Sequence, residues 1–218
     1  MNRGPLWISC CLAVCVVLTG CQTMHDVKVD AISNPRKPGG TSYRLEIIDP
    51  SGGVDKELGV QAVISIKSAL AARGLYEAPA SVTPDMVIIL EYGVGPGEIK
   101  IVYRSSVDAG MGLGGGMQGP EAKSILVFEK YLALSAREGV APGNPAAQSG
   151  GKKHENRGEG IWSVRVSVED PKKDLAPYLI VLASSSIDYI GQNTGSEVHL
   201  QVDANGNAKR HPDKAISR

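Results

Sequence analysis

Several groups of residues in this chain have the types and spacing to do chemistry, and each makes a demand on the structure around it. Gly110-Met111-Gly112-Leu113-Gly114-Gly115 carries the spacing G-x-G-x-x-G. That spacing holds a dinucleotide pyrophosphate only where it leaves a strand and opens a helix. The segment after it, Ser124 to Arg137, alternates like a strand, so a flexible loop is expected and no cofactor. Gly150-Gly151-Lys152-Lys153 has the glycine and lysine of a phosphate loop but lacks the hydroxyl residue after the lysine and the leading glycine. Ser184-Ser185-Ser186 offers hydroxyl nucleophiles without the G-x-S-x-G elbow that would expose one. Asp85, Glu91, Glu129 and Asp188 could pair as general acid and base if the fold brought two of them together. The histidines, His25, His154, His199 and His211, lack a second ligand at i+2 or i+4 aimed at a common point, so no metal site is expected. Trp162 and Tyr92, Tyr103, Tyr131 and Tyr189 could line a recognition groove, with packing in the sheet as the simpler expectation. No catalytic residue is assigned and no enzyme is expected.

The remaining reactive group is the thiol of Cys21. Arg3 is the only charge ahead of an apolar run from Leu6 to Leu18. At about 13 residues that run suits the core of a secretion signal and is short of the roughly 20 a spanning helix needs. Leu18-Thr19-Gly20-Cys21 follows, a leucine, two small residues and a cysteine. This resembles the lipobox of bacterial lipoproteins. The resemblance implies removal of residues 1–20 and acylation of Cys21, which attaches the protein to a membrane without crossing it. Gln22, in place of an aspartate, implies by the same resemblance the outer membrane, facing the periplasm. Of four cysteines, Cys10, Cys11 and Cys15 fall in the signal. The mature chain then keeps only Cys21, which excludes an internal disulfide and a cysteine metal site. With 23 basic and 23 acidic residues, and Arg3 lost with the signal, the mature chain is nearly neutral. It has no concentrated basic face for nucleic acid.

The elements that must position these residues show in the apolar periodicity. Residues 21–40, with Pro35, Pro38, Gly39 and Gly40, are expected to be a flexible tether. A single α/β domain is expected over 41–204, with a disordered tail at 205–218. Tyr43 to Ile47 alternates as a strand. Leu58, Ala62, Ile66, Ala69 and Leu70 recur at helical steps within 54–73, closed by Gly74. Met86 to Leu90 reads as a central strand, Tyr92 to Gly97 as a tight turn, and Ile99 to Tyr103 as the returning strand of a hairpin. Ile125 to Arg137 and Trp162 to Glu169 are strands, with flexible insertions at 105–123 and 139–160. Leu175, Leu179, Leu182, Ser186 and Ile190 mark a second helix over 173–190, ended by Gly191, and Val198 to Val202 a last strand. The expectation is an α+β fold, a two-layer sandwich of a mixed five- to six-stranded sheet with two helices. Strand–helix–strand units near 43–90 and 162–202 suggest a ferredoxin-like or related βαβ repeat.

The stretch Pro84 to Gly95, with Phe128-Glu129-Lys130-Tyr131-Leu132, Ile161-Trp162-Ser163-Val164 and Ser186 to Gly191, is similar to a family of uncharacterised bacterial lipoproteins with a domain of unknown function. The likeness spans about residues 41–203 and assigns no activity. The layout also resembles, more distantly, small envelope α/β domains: the penicillin-binding-protein activator lipoproteins, the curli secretion lipoprotein and the N-terminal domain of the TolB translocation protein. Together these imply a non-catalytic interaction module, held to the membrane through Cys21, with an envelope protein or peptidoglycan as partner. The alternative is a small-ligand or lipid-binding lipoprotein with an apolar pocket between sheet and helices.

Overall fold

The computed structural model describes residues 23–48, 56–104, 121–139 and 160–210. The fold is α+β, as expected: one open mixed sheet with two helices packed on one face. The strands are β1 (Met24–Ser33), β2 (Ser42–Ile48), β3 (Tyr76–Glu77), β4 (Met86–Arg104), β5 (Glu121–Glu138), β6 (Gly160–Asp170), β7 (Val198–Asp203) and β8 (Ala208–Arg210). The helices are α1 (Lys56–Ala72) and α2 (Leu179–Ser186). The sheet has eight strands in the order β3-β2-β4-β5-β6-β1-β7-β8, more than the five or six expected.

The added central strand comes from the segment expected to be a tether. β1 lies between β6 and β7 and pairs antiparallel with both, Val27 opposite Val168 on one side and Leu200 on the other. Its Val27, Val29 and Ala31 are fully buried. The sequence Val27-Lys28-Val29-Asp30-Ala31 has the alternation of a strand with one buried face. The proline and glycine cluster after it only ends it. Ala31 is also tied down by Thr194, whose N–H donates to the Ala31 carbonyl at 2.9 Å. The sheet therefore begins at Met24 and not at residue 41. At the other end the chain stays in the sheet to β8, three residues of which fall in the expected tail. The expected insertions are narrowed: 105–120 and 140–159 lie outside the described residues, as do 1–22 and 211–218.

β1 also changes the symmetry of the two βαβ units. In the first, β2 and β4 are adjacent and parallel, Tyr43 opposite Met86. In the second, β6 and β7 run parallel but are held apart by β1. The ends of α1 are as the sequence implies: Ala62, Ile66 and Leu70 are fully buried against the sheet. Gly74 takes the left-handed φ of +76° that closes the helix. The second helix is shorter than expected, α2 being flanked by 3₁₀ turns at Ala176–Tyr178 and Ile187–Tyr189.

The expected turn at Tyr92 to Gly97 is a bulge inside one continuous strand. β4 pairs with β5 from Met86–Glu138 to Arg104–Glu121, with a register shift between Val94 and Gly97. Pro96, which cannot donate to a ladder, sits within that shift. Gly97 is required by its neighbour: a Cβ there would lie 2.9 Å from Cε1 of Phe128. Beyond the bulge, β4 and β5 continue as a two-stranded ribbon, past the last pairing of β2 at Glu91 and of β6 at Phe128.

Candidate functional site: a cleft beside Trp162

The sandwich opens at the end where β1 and β5 finish and β2, β4 and β6 begin. A cleft of about 330 Å³ lies there, lined by residues including Lys37, Gly39, Arg73, Met86, Trp162 and Ile190. Four elements meet at it: the β1–β2 connection, the exit of α1, the start of β6 and the turn after α2. A second recess of about 470 Å³ opens on the polar side of the same strand ends, with Ile32, Arg137 and Ile161 in its wall. Trp162 borders both.

Trp162 sits on the core-facing side of β6 with 6% of its surface exposed. Its indole Nε1–H donates to no described protein group. No fully enclosed polar side-chain atom in the described part lacks a partner, so this N–H is open to the cleft. A Cβ on Gly39 would stand 3.8 Å from that Nε1 and 3.6 Å from Sδ of Met86, so the missing side chain of Gly39 keeps the floor open. Gly40 is tighter: its Cβ would lie 2.1 Å from Cβ of Asp85. Arg73 is held by its guanidinium, which donates to the Ile190 carbonyl at 3.4 Å. Lys37 pairs with Glu138 at 2.8 Å. The cleft is thus lined by one open donor, the Trp162 N–H, and by two cationic side chains already bonded to protein acceptors, and its described lining contains no carboxylate. Such a set suits a ligand that accepts hydrogen bonds and carries negative charge, with an apolar body against Leu75, Met86 and Ile190.

The other sequence candidates are dispersed. Asp85 accepts from the N–H groups of Thr41 and Ser42 at 3.0 and 2.9 Å, and its own N–H donates to the Ser42 hydroxyl. These bonds hold its carboxyl below the usual range and tie β2 to β4. Glu91 accepts from the Tyr131 hydroxyl at 3.0 Å. Glu129 pairs with Arg165, whose guanidinium stacks 4.2 Å from the Tyr131 ring centre. Those two carboxylates share the open polar face of the sheet, whereas Asp188 stands exposed in a turn after α2. The hydroxyls of Ser184, Ser185 and Ser186 all donate to helix carbonyls at 2.7 to 3.0 Å. His25 lies in β1 with its ring edge-on to Tyr178, and His199 pairs with Glu197 at 3.1 Å. His154, His211 and both glycine motifs, like Cys21, fall outside the described residues.

The sequence reading passed over Lys130. It is fully buried on the core side of β5. Its Nζ donates to the carbonyls of Phe128 and Asp170 at 3.3 and 3.1 Å and stands 5.1 Å from the Tyr178 ring centre. Burial pushes its ammonium pKa down, against the pull of Asp170. Burial also raises the Tyr178 phenol to about 12, with Asp170 adding to the effect. This cluster ties β5, the end of β6 and the turn before α2 together. Among the described residues, no helix is long and apolar enough to cross a membrane.

No protein-family profile matches the chain, and no curated protein does. Several solved structures are similar at low identity, three of them as follows. A PDZ domain protein from Parabacteroides distasonis matches at 14% identity and a TM-score of 0.43; the likeness covers 84% of this chain but only 40% of that one. Two PelC dodecamer structures from Paraburkholderia phytofirmans match at 12% and 13% identity, with TM-scores of 0.36 and 0.40. They cover 77% of this chain and 98% and 99% of theirs. At these scores the likenesses assign neither a family nor a role.

Proposed function

We propose that the chain is a lipid-anchored lipoprotein of the bacterial envelope, acylated at Cys21 and held on the outer membrane facing the periplasm. Its domain acts without catalysis, as a binding module for another envelope protein or a cell-wall component. The site is the cleft beside Trp162, and the group it takes is a carboxylate borne on a small apolar body. The observation that carries this reading is the indole N–H of a nearly buried tryptophan, left without a protein acceptor in a cleft flanked by Arg73 and Lys37. An open donor in such a place is satisfied by a ligand or by water.

The chain has two tryptophans, Trp7 in the signal and Trp162. In membrane-extracted protein carrying Trp7→Phe, Trp162 is the sole indole whatever the fate of the signal. Titration with N-acetylleucine should shift its emission, and N-acetylleucinamide, which lacks the charge, should bind about tenfold more weakly or worse. Gly39→Val should abolish the shift while leaving circular dichroism and the melting curve unchanged. Equal response to acid and amide, or an unaltered titration in Gly39→Val, would remove the cleft from the account.

A further inference from the structure

The β4–β5 ribbon and the chain leading back to Cys21 leave the same end of the sheet. β1 runs antiparallel to β6, with Val27 opposite Val168, which places Met24 near the level of Asp170. Asp170 is itself opposite Phe128, where the ribbon begins. The chain before Met24 therefore departs in the direction the ribbon takes. The cleft beside Trp162 is at the other end.

The two faces of the ribbon differ in charge. Alternate residues of a strand face opposite ways, and directly paired residues share a face. Ile99 pairs with Leu126 and Ile101 with Ser124, so Ile99, Ile101 and Leu126 form one aliphatic surface. They are 74%, 60% and 49% exposed. The opposite face carries Lys100 and Lys123, together with Ile125 and the exposed Val102. Lys100 bonds to Glu169 on the polar face of the sheet, where Glu169 also holds Lys28 at 2.9 Å. That clip turns the lysine face toward the body and the aliphatic face away from it. Two residues, Gln22 and Thr23, separate Cys21 from Met24, three steps of chain with a reach of roughly 10 Å at most. The seven-residue ends of the ribbon, 98–104, extend roughly 20 Å.

We infer that the ribbon is a second membrane contact: with acyl chains on Cys21 in the bilayer, Ile99, Ile101 and Leu126 rest in the lipid headgroup region of that same membrane. The inference rests on the lipoprotein reading. A short tether brings the ribbon to the bilayer, and its aliphatic face is the surface turned outward there. Its backbone fixes the depth. Both ribbon edges lack a described strand partner, and unpaired N–H and C=O groups are too costly to take into the hydrocarbon. The side chains enter the headgroup and upper acyl layer while the backbone stays hydrated. The cleft then points away from this membrane, toward the periplasm.

The introduced thiol in Ile101→Cys would be the only free one in the lipidated mature chain, since acylation consumes Cys21. An environment-sensitive nitrobenzoxadiazole label there, in full-length protein matured in cells and reconstituted into phosphatidylethanolamine–phosphatidylglycerol vesicles, should shift to the blue. It should be quenched by a nitroxide near the lipid headgroup more than by one deep in the acyl chain. The same label at Val82→Cys, in the exposed loop before β4 at the cleft end, should be quenched by neither. Intact mass measured on the same sample separates two failures. A lipidated chain without quenching at position 101, or with equal quenching at 82, overturns the ribbon contact alone. A chain without acyl mass overturns the lipoprotein reading and the contact with it.

Discussion

At the scale of single residues, two adjacent glycines and one lysine say most about how the chain is used. Gly39 has ordinary contact room for a Cβ, whereas one on Gly40 would overlap the Asp85 side chain. Gly39→Ala should therefore leave thermal stability unchanged, and Gly40→Ala should lower it by about 1–3 kcal/mol as β2 and β4 are pushed apart; paired melting curves check this. Lys130 is a charge held in the core by two carbonyls, a distant carboxylate and a ring face. Its folded pKa lies below the usual 10.5 because burial disfavours the ammonium. The unfolded chain thus binds the extra proton in the window between the folded value and 10.5, and stability should rise with pH across it. Tyr178 acts oppositely and higher. Its phenol is raised from 10.0 to about 12, so the folded state keeps its proton longer and stability falls as pH climbs from 10 to 12. Lys130→Met, of similar length without the charge, should remove the rising limb in urea melts taken across alkaline pH and leave the fall above 10. Neither residue could be found by periodicity. Lys130 occupies an inward position between Phe128 and Leu132, and a lysine there looks like a break in the pattern until the carbonyls that hold it are seen.

At the scale of elements, the legible parts were those with a long regular period. α1, the β6 strand from Trp162 to Glu169 and β7 announce themselves by steps of three and four or of two, and the glycines that end the two helical segments, at 74 and 191, take positive φ. Two elements were misread for related physical reasons. β1 is followed by Pro35, Pro38, Gly39 and Gly40, and the weight of those residues hid the alternation just before them. β4 contains three glycines and a proline between Tyr92 and Glu98. These punctuate most chains as a turn, but here they make a bulge and admit the rings of Tyr131 and Phe128 against the backbone. Both errors concealed residues on which the proposals rest: the cleft floor lies in the supposed tether, and the ribbon begins at the supposed turn. The β1 assignment is open to direct test. Val29→Asp places an unpaired charge at a fully buried position between two strands, which should cost on the order of 4 kcal/mol or more and abolish cooperative unfolding. In a flexible tether the same substitution would leave the denaturation curve where it was.

At the scale of the whole molecule, the two proposed surfaces lie at opposite ends of the sheet. One end gathers the start of β1, and with it the path to Cys21, together with the aliphatic ribbon. The other gathers the strand and helix ends that frame Trp162. This polarity follows from the direction of one strand: had β1 run parallel to β6, the anchor and the cleft would share an end. The α+β class was legible in the sequence, which also carries the Leu18-Thr19-Gly20-Cys21 pattern on which the proposed anchor rests. The strand order lay beyond it, because a sheet in which the first strand is inserted between the sixth and seventh depends on pairing across more than 130 residues, as from Val27 to Val168. An acyl group on Cys21, as proposed, would make one end of the sheet the membrane end. Intact mass spectrometry of protein extracted from membranes tests it most directly. The predicted result is a chain beginning at residue 21 and carrying a diacyl or triacyl adduct on Cys21, lost together with membrane fractionation in Cys21→Ser. A chain that keeps residues 1–20, or that starts at residue 21 with a free thiol, would contradict it.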